Sequence, residues 1–228
     1  MLNESMFFYT FITLLFYLIT AFIQKKTKRA WLNPLLMTIV FIVIMLTAFD
    51  IKYESYESGT GLITYLLTPA TVCLAVPLYE KLSLLKKNIA AIFIGIFSGV
   101  ITSALCIFLV VTIFNLDSTV AATFLPKSVT TAIGIGIANE LGGISALAAI
   151  SIIITGVVGN IFAESICKLF RITDPIAIGA AIGTSSHACG TAKALQLGQT
   201  EGAVSGLAVA VAGIMTVVVA PIFMRLFI

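Results

Sequence analysis

Apolar residues run along this chain in long stretches separated by short polar or charged segments. Six of the stretches are uninterrupted enough to predict membrane-crossing helices: Met6–Ile23, Asn33–Phe49, Leu62–Tyr79, Asn88–Phe114, Ile144–Phe162 and Ala203–Phe227. A crossing needs about 20 apolar residues. Two further stretches are apolar but broken. Val120–Gly143 is interrupted by Pro126-Lys127-Ser128 and by Asn139-Glu140, and Pro175–Leu197 by GAAIGTSSHACGTAK at 179–193. The pattern predicts an all-α polytopic membrane protein of about 6–8 transmembrane segments.

Composition sharpens this reading. The 228 residues are 60% hydrophobic and 10% charged, against about 25% charged in a soluble domain. The whole of 1–228 reads as one integral membrane domain, with four spans in 1–117 and a core holding both interrupted segments in 118–228. The net charge of +3 indicates no nucleic-acid partner; it reflects the basic bias of cytoplasmic loops. Gln24–Arg29 carries four positive charges and Glu80–Lys87 three lysines, which places both inside and leaves Asp50–Gly61 as an outer loop. Trp31 stands where an interfacial anchor is expected. Glu164–Asp174 reads as a short charged loop. Cys73, Cys106, Cys167 and Cys189 form no C-x-x-C pair and read as buried free thiols. MLNESM lacks the basic region of a signal peptide, so the first span is expected to remain as an anchor.

The interrupted segments resemble each other at an offset of 56 residues: Ala132, Gly134, Ala138, Leu141 and Gly142 recur as Ala188, Gly190, Ala194, Leu197 and Gly198. Each precedes a span that opens S-x-L-A, at Ser145 and Ser205. The single span between them implies that, if each segment re-enters the membrane, the two do so from opposite faces, as an inverted repeat. Gly- or Pro-interrupted segments in corresponding positions point to a transporter's binding site near the midplane. Pro69, Pro126, Gly134 and Gly190 are the expected helix breaks.

The polar residues suit a small anion. Half-helix N-termini offer free N–H groups and a positive dipole end. Ser128, Thr130, Thr131, Thr184, Ser185, Ser186 and Thr191 carry hydroxyls, and Asn139 an amide. Lys127, Lys193 or protonated His187 can supply countercharge. Glu140 and His187 are candidate proton carriers. Blander readings stand beside these: His187 packed and bonded to a carbonyl, the lysines reaching an interface, and Asn139-Glu140 ending a half-helix. No H-E-x-x-H, P-loop or G-x-S-x-G appears, so neither an enzyme nor a metal or other cofactor is expected.

With these motifs in view, the chain resembles the LrgB/CidB family of bacterial membrane proteins. The resemblance rests on LLTPATVCLAVPLYE at 66–80, LPKSVTTAIGI at 125–135, ELGG at 140–143, RITDPIA at 171–177, GTSSHACGTAKAL at 183–195 and EGAVSGLAVAVAG at 201–213. Many members carry proline after the paired threonines, where this chain has Ala132. The resemblance implies a multi-pass protein of the bacterial cytoplasmic membrane, a small LrgA/CidA-type partner and two functional expectations. One is transport of small monocarboxylates such as pyruvate or glycolate. The other is a holin- or antiholin-like role in murein hydrolase activity and autolysis. The lipid bilayer and a homo-oligomer complete the expected partners.

Overall fold

The computed structural model describes residues 6–27, 32–73 and 75–226. Trp31 and the end of the first basic segment lie outside them. The described residues form helices and turns, without a strand. Among the described residues, four helices are long and apolar enough to cross a membrane, at Phe7–Thr27, Ile89–Ile113, Ser145–Leu169 and Gln199–Met224, and a further apolar helix, Pro34–Ala48, has 15 residues. The protein is a multi-pass membrane protein. Its chain falls into two compact units, Met1–Cys73 and Leu74–Ile228.

The first unit holds α1 (Met6–Thr27), α2 (Pro34–Ala48), α3 (Tyr53–Gly59) and α4 (Gly61–Cys73). Asn33 starts α2: its side-chain oxygen accepts from the N–H groups of Leu35 and Leu36, with Pro34 at the first helical position. Hydroxyls tie α1 to its neighbours. Thr20 meets Thr38 at 2.9 Å, Thr10 donates to the Gly59 carbonyl at 3.1 Å, and Thr13 meets the Tyr56 hydroxyl at 2.9 Å. The stretch expected as an outer loop therefore contains a helix, α3. Pro69 lies inside α4, which stays helical to Cys73, so it removes one backbone hydrogen bond without ending the helix.

The second unit holds α5 (Ala75–Glu80), α6 (Leu82–Lys87), α7 (Ile89–Ile113), α8 (Ser118–Phe124), α9 (Thr131–Glu140), α10 (Ser145–Leu169), α11 (Pro175–Leu197) and α12 (Gln199–Met224). The expected third span is thus helical on both sides of Leu74, which is not described. α10 extends beyond the expected end of its span, so Glu164 and Lys168 are helical rather than in a loop. Helices α2, α7, α9 and α10 end alike, with a left-handed residue (Asp50, Asn115, Gly142, Arg171). The N–H of the following residue then reaches back to Leu46, Val111, Ala138 or Cys167, which satisfies carbonyls the helix end would leave open.

Both interrupted segments fold back on themselves. In α11 the backbone leaves helical geometry at His187, at φ 42° and ψ −143°. A methyl on Gly190 would stand 2.9 Å from Ile182 Cγ2, eight residues earlier, and 2.7 Å from Ser186 Cβ. In a continuous helix such residues lie about 12 Å apart. The two arms, 175–186 and 188–197, are therefore a helical hairpin with its tip at His187. The first arm runs parallel to α12, with Gly179 against Val204 and Gly183 against Ala208. The second runs antiparallel, with Thr191 on Ser205 and Leu195 on Gly202. In the earlier segment, α8 and α9 flank a non-helical turn at 125–130. Gly134 packs on the Pro126 carbonyl, and Gly143 on Thr123. This too is a hairpin.

The hairpins approach from opposite ends. The first leaves the C-terminal end of α7 and is followed by α10, which runs to the other end, where the second begins. Both tips reach the middles of the long helices: Lys127 and Ser128 meet Ser103 of α7, and Thr184 meets Gly99 of α7. Gly134 and Gly190 are not the breaks themselves. Each lies inside the outgoing arm, where a missing side chain lets that arm pack tightly, and the chain reverses at 125–130 and at His187.

Candidate functional site

Between the hairpin tips lies a small cavity. Ser128 and Val129 of the first tip, Thr184 of the second, Ser103 of α7 and Thr216 of α12 line it, with apolar walls from Val100 and Val219. Its free space is that of roughly one water. The lining residues include no acidic side chain.

Two features of the cavity are chemically uneven. Thr184 is 7% exposed, and its hydroxyl oxygen is fully buried without a hydrogen-bond partner. An unmade hydrogen bond at such a group costs about 1–3 kcal/mol. Lys127 is half-buried, and its ammonium donates to Ser103 Oγ at 3.3 Å and Ser128 Oγ at 3.2 Å. Among the described residues the ion pairs are Lys168–Glu164 and Lys193–Glu164, so Lys127 has hydroxyl partners there but no carboxylate. Thr130 sits at the N-cap of the ten-residue α9 with no side-chain capping bond. The positive end of that helix faces the same region.

The remaining expected site residues are placed elsewhere. His187 is buried, and its Nε2–H donates to the main-chain oxygen of Ile152 at 3.0 Å. Its ring packs on α10 where Gly156 has no side chain, and His187 is not among the residues that line the cavity. Its positive φ stores about 1–3 kcal/mol of strain. Ser186 fits into the space left by Gly159. Asn160 Nδ2 donates to the Cys189 carbonyl at 2.6 Å. Thr191 donates to the His187 carbonyl and meets Ser205 Oγ at 2.8 Å. Ser185 turns outward and bonds Ile182 and Ser186. Thr131 opens α9 and is half-buried.

Three expected roles are corrected. Lys193 is bound to Glu164 at 2.7 Å on the side of the hairpin facing α10, which takes it away from the cavity. Asn139 and Glu140 lie at the far end of α9 and are exposed; Asn139 accepts from Ser145. A ten-residue helix separates them from the tip by about 13 Å. They terminate the hairpin arm. The four cysteines are free, but only Cys167 is buried.

Ser103, Thr216, Ser205, Asn160 and Glu164 take part in this architecture and were not expected. Four of them are scattered among apolar residues of long spans and Glu164 was read as part of a loop, so each is a weak signal by itself. The small residues Gly156 and Gly159 beside Asn160 were the legible trace of a close contact. Among the described residues no group of three His, Cys, Asp or Glu is placed to hold a metal.

Known proteins match the chain along nearly its full length. The LrgB-like family matches residues 13–226. The chain is 34% identical over 216 residues to the holin-like protein CidB of Staphylococcus aureus strain Mu50 / ATCC 700699, covering 95% of this chain and 94% of the relative. The same figures hold for the holin-like protein CidB of strain N315. No solved structure matches the chain.

Proposed function

This chain belongs to the LrgB-like family, and we propose that it carries a small monocarboxylate, of the size of pyruvate or glycolate, across the bacterial membrane. The observation that supports this reading is a cavity between opposed hairpins lined by Ser103, Ser128 and Thr184, with the Lys127 ammonium bonded to the two serines and the buried Thr184 hydroxyl without a partner. A carboxylate there gains the Lys127 ammonium as countercharge and up to three hydroxyl donors, in a low-dielectric setting that strengthens each contact. Each hairpin closes the cavity toward one end of the long helices. Displacing one tip exposes the site to one side only, which is alternating access. The water-sized cavity corresponds to the closed stage of that cycle. A small LrgA/CidA-type membrane protein and a second copy of this chain are the proposed partners.

The relatives favour a second reading. They are named holin-like, and the family resemblance attaches to that name a role in controlling murein hydrolases and autolysis. A holin-like lesion passes solutes by size and needs no site. Reconstitution into sealed vesicles, alone and with the small partner, separates the two. Saturable uptake of labelled pyruvate without leakage of a large dye supports the carrier. Dye leakage graded by size, with no saturable uptake, supports the holin-like reading.

A further inference from the structure

We propose that the cavity between the hairpin tips binds a monatomic anion of the chloride class. The size of the space, its donors and its charge converge on this ligand. The cavity is water-sized, too small for a three-carbon acid but sufficient for a single halide. Its polar lining residues all carry hydroxyls: Ser103, Ser128, Thr216 and Thr184, whose hydroxyl is buried and has no partner in the fold. Thr216 already donates to the Ala212 carbonyl; hydroxyl hydrogens rotate to suit an acceptor, which leaves Ser103, Ser128 and Thr184 as donors to one central anion. No lining residue is acidic, and Lys127 sits directly behind two of the hydroxyls. A cation would be repelled by that ammonium and would find no carboxylate. A neutral water would satisfy Thr184 but leave the ammonium without countercharge at membrane depth, where an unpaired charge is costly. A halide satisfies both. Valine, alanine and leucine walls exclude bulk water and favour a weakly hydrated anion over a strongly hydrated one.

This site shares its residues with the carrier reading, but halide binding is read on purified protein without transport, so the two fail separately. The test is thermal unfolding of the full chain in detergent, in sodium chloride, bromide and gluconate at equal ionic strength. Chloride and bromide should raise Tm by about 2–4 °C over gluconate. Thr184→Val and Lys127→Gln should each remove the difference. Equal Tm in all three salts, or a difference that survives both substitutions, overturns the proposal. Should the variants fail to fold, radioactive chloride binding to the wild type decides: saturable binding displaced by bromide but not gluconate supports the site, and non-saturable binding refutes it. Chloride binding without pyruvate uptake would defeat the carrier reading alone, whereas uptake without chloride binding would defeat this one.

Discussion

His187 lies against Gly156: a methyl in place of the glycine hydrogen would stand 2.6 Å from both Cε1 and Nε2 of the imidazole. This contact seats the second hairpin on α10. With the bond from Nε2 to the Ile152 carbonyl, it fixes the tip at the middle of the long helix. Gly156→Ala should push the ring away and destabilise the protein by about 1–3 kcal/mol, as overpacking does. Gly159→Ala, which crowds Ser186, should do the same. Thermal unfolding in detergent checks both, and an unchanged Tm would show that the hairpin is not seated there.

Thr184 should behave in the opposite sense. Its hydroxyl has no partner in the fold, so Thr184→Val removes an unsatisfied buried group while keeping the shape. In gluconate, without halide, stability should stay level or rise by up to about 1 kcal/mol, whereas uptake of labelled monocarboxylate should fall at least tenfold. A parallel loss of stability and uptake would mean that Thr184 is structural.

The two lysines that the sequence offers as countercharges should separate. Lys127→Gln should abolish saturable uptake with little change in Tm in halide-free salt. Lys193→Met should lower Tm, because it leaves Glu164 with Lys168 alone. A double-mutant cycle with Glu164→Gln should return a coupling of about 0.5–1 kcal/mol, small because Glu164 is partly exposed.

Opposed hairpins make a prediction about sidedness. The turns around Glu140 and Thr173 lie at opposite ends of α10. In a variant lacking the native cysteines, Glu140→Cys should react with an impermeant thiol reagent from outside the cell. Thr173→Cys, beside Arg171, should react only from the cytoplasmic side. Labelling of both from one side would rule out hairpins that approach from opposite faces.

Much of this architecture was legible because membranes make polar interruptions conspicuous. Pro126-Lys127-Ser128 and the segment around His187 stand out against apolar flanks, and the 56-residue offset falls within one residue of the spacing of the outgoing arms, since α9 spans 131–140 and the second arm of α11 spans 188–197. Side-chain direction was not legible. Lys193 and Glu140 are close in sequence to a break, but a helical arm carries them one to two turns or more away, and rotation about the axis turns Lys193 toward Glu164. Ser103 and Thr216 were hidden for the converse reason. A lone hydroxyl in an apolar helix ordinarily bonds its own backbone, as Thr216 does with the Ala212 carbonyl, and only tertiary packing shows that it faces a cavity.

The most direct test of the central claim is uptake of labelled pyruvate into proteoliposomes, comparing wild type with Thr184→Val and Lys127→Gln. The cavity between the hairpins as a carboxylate site predicts saturable uptake in the wild type, at least tenfold lower in both variants, without dye leakage. No saturable uptake, together with leakage graded by solute size and equal in all three proteins, would contradict it.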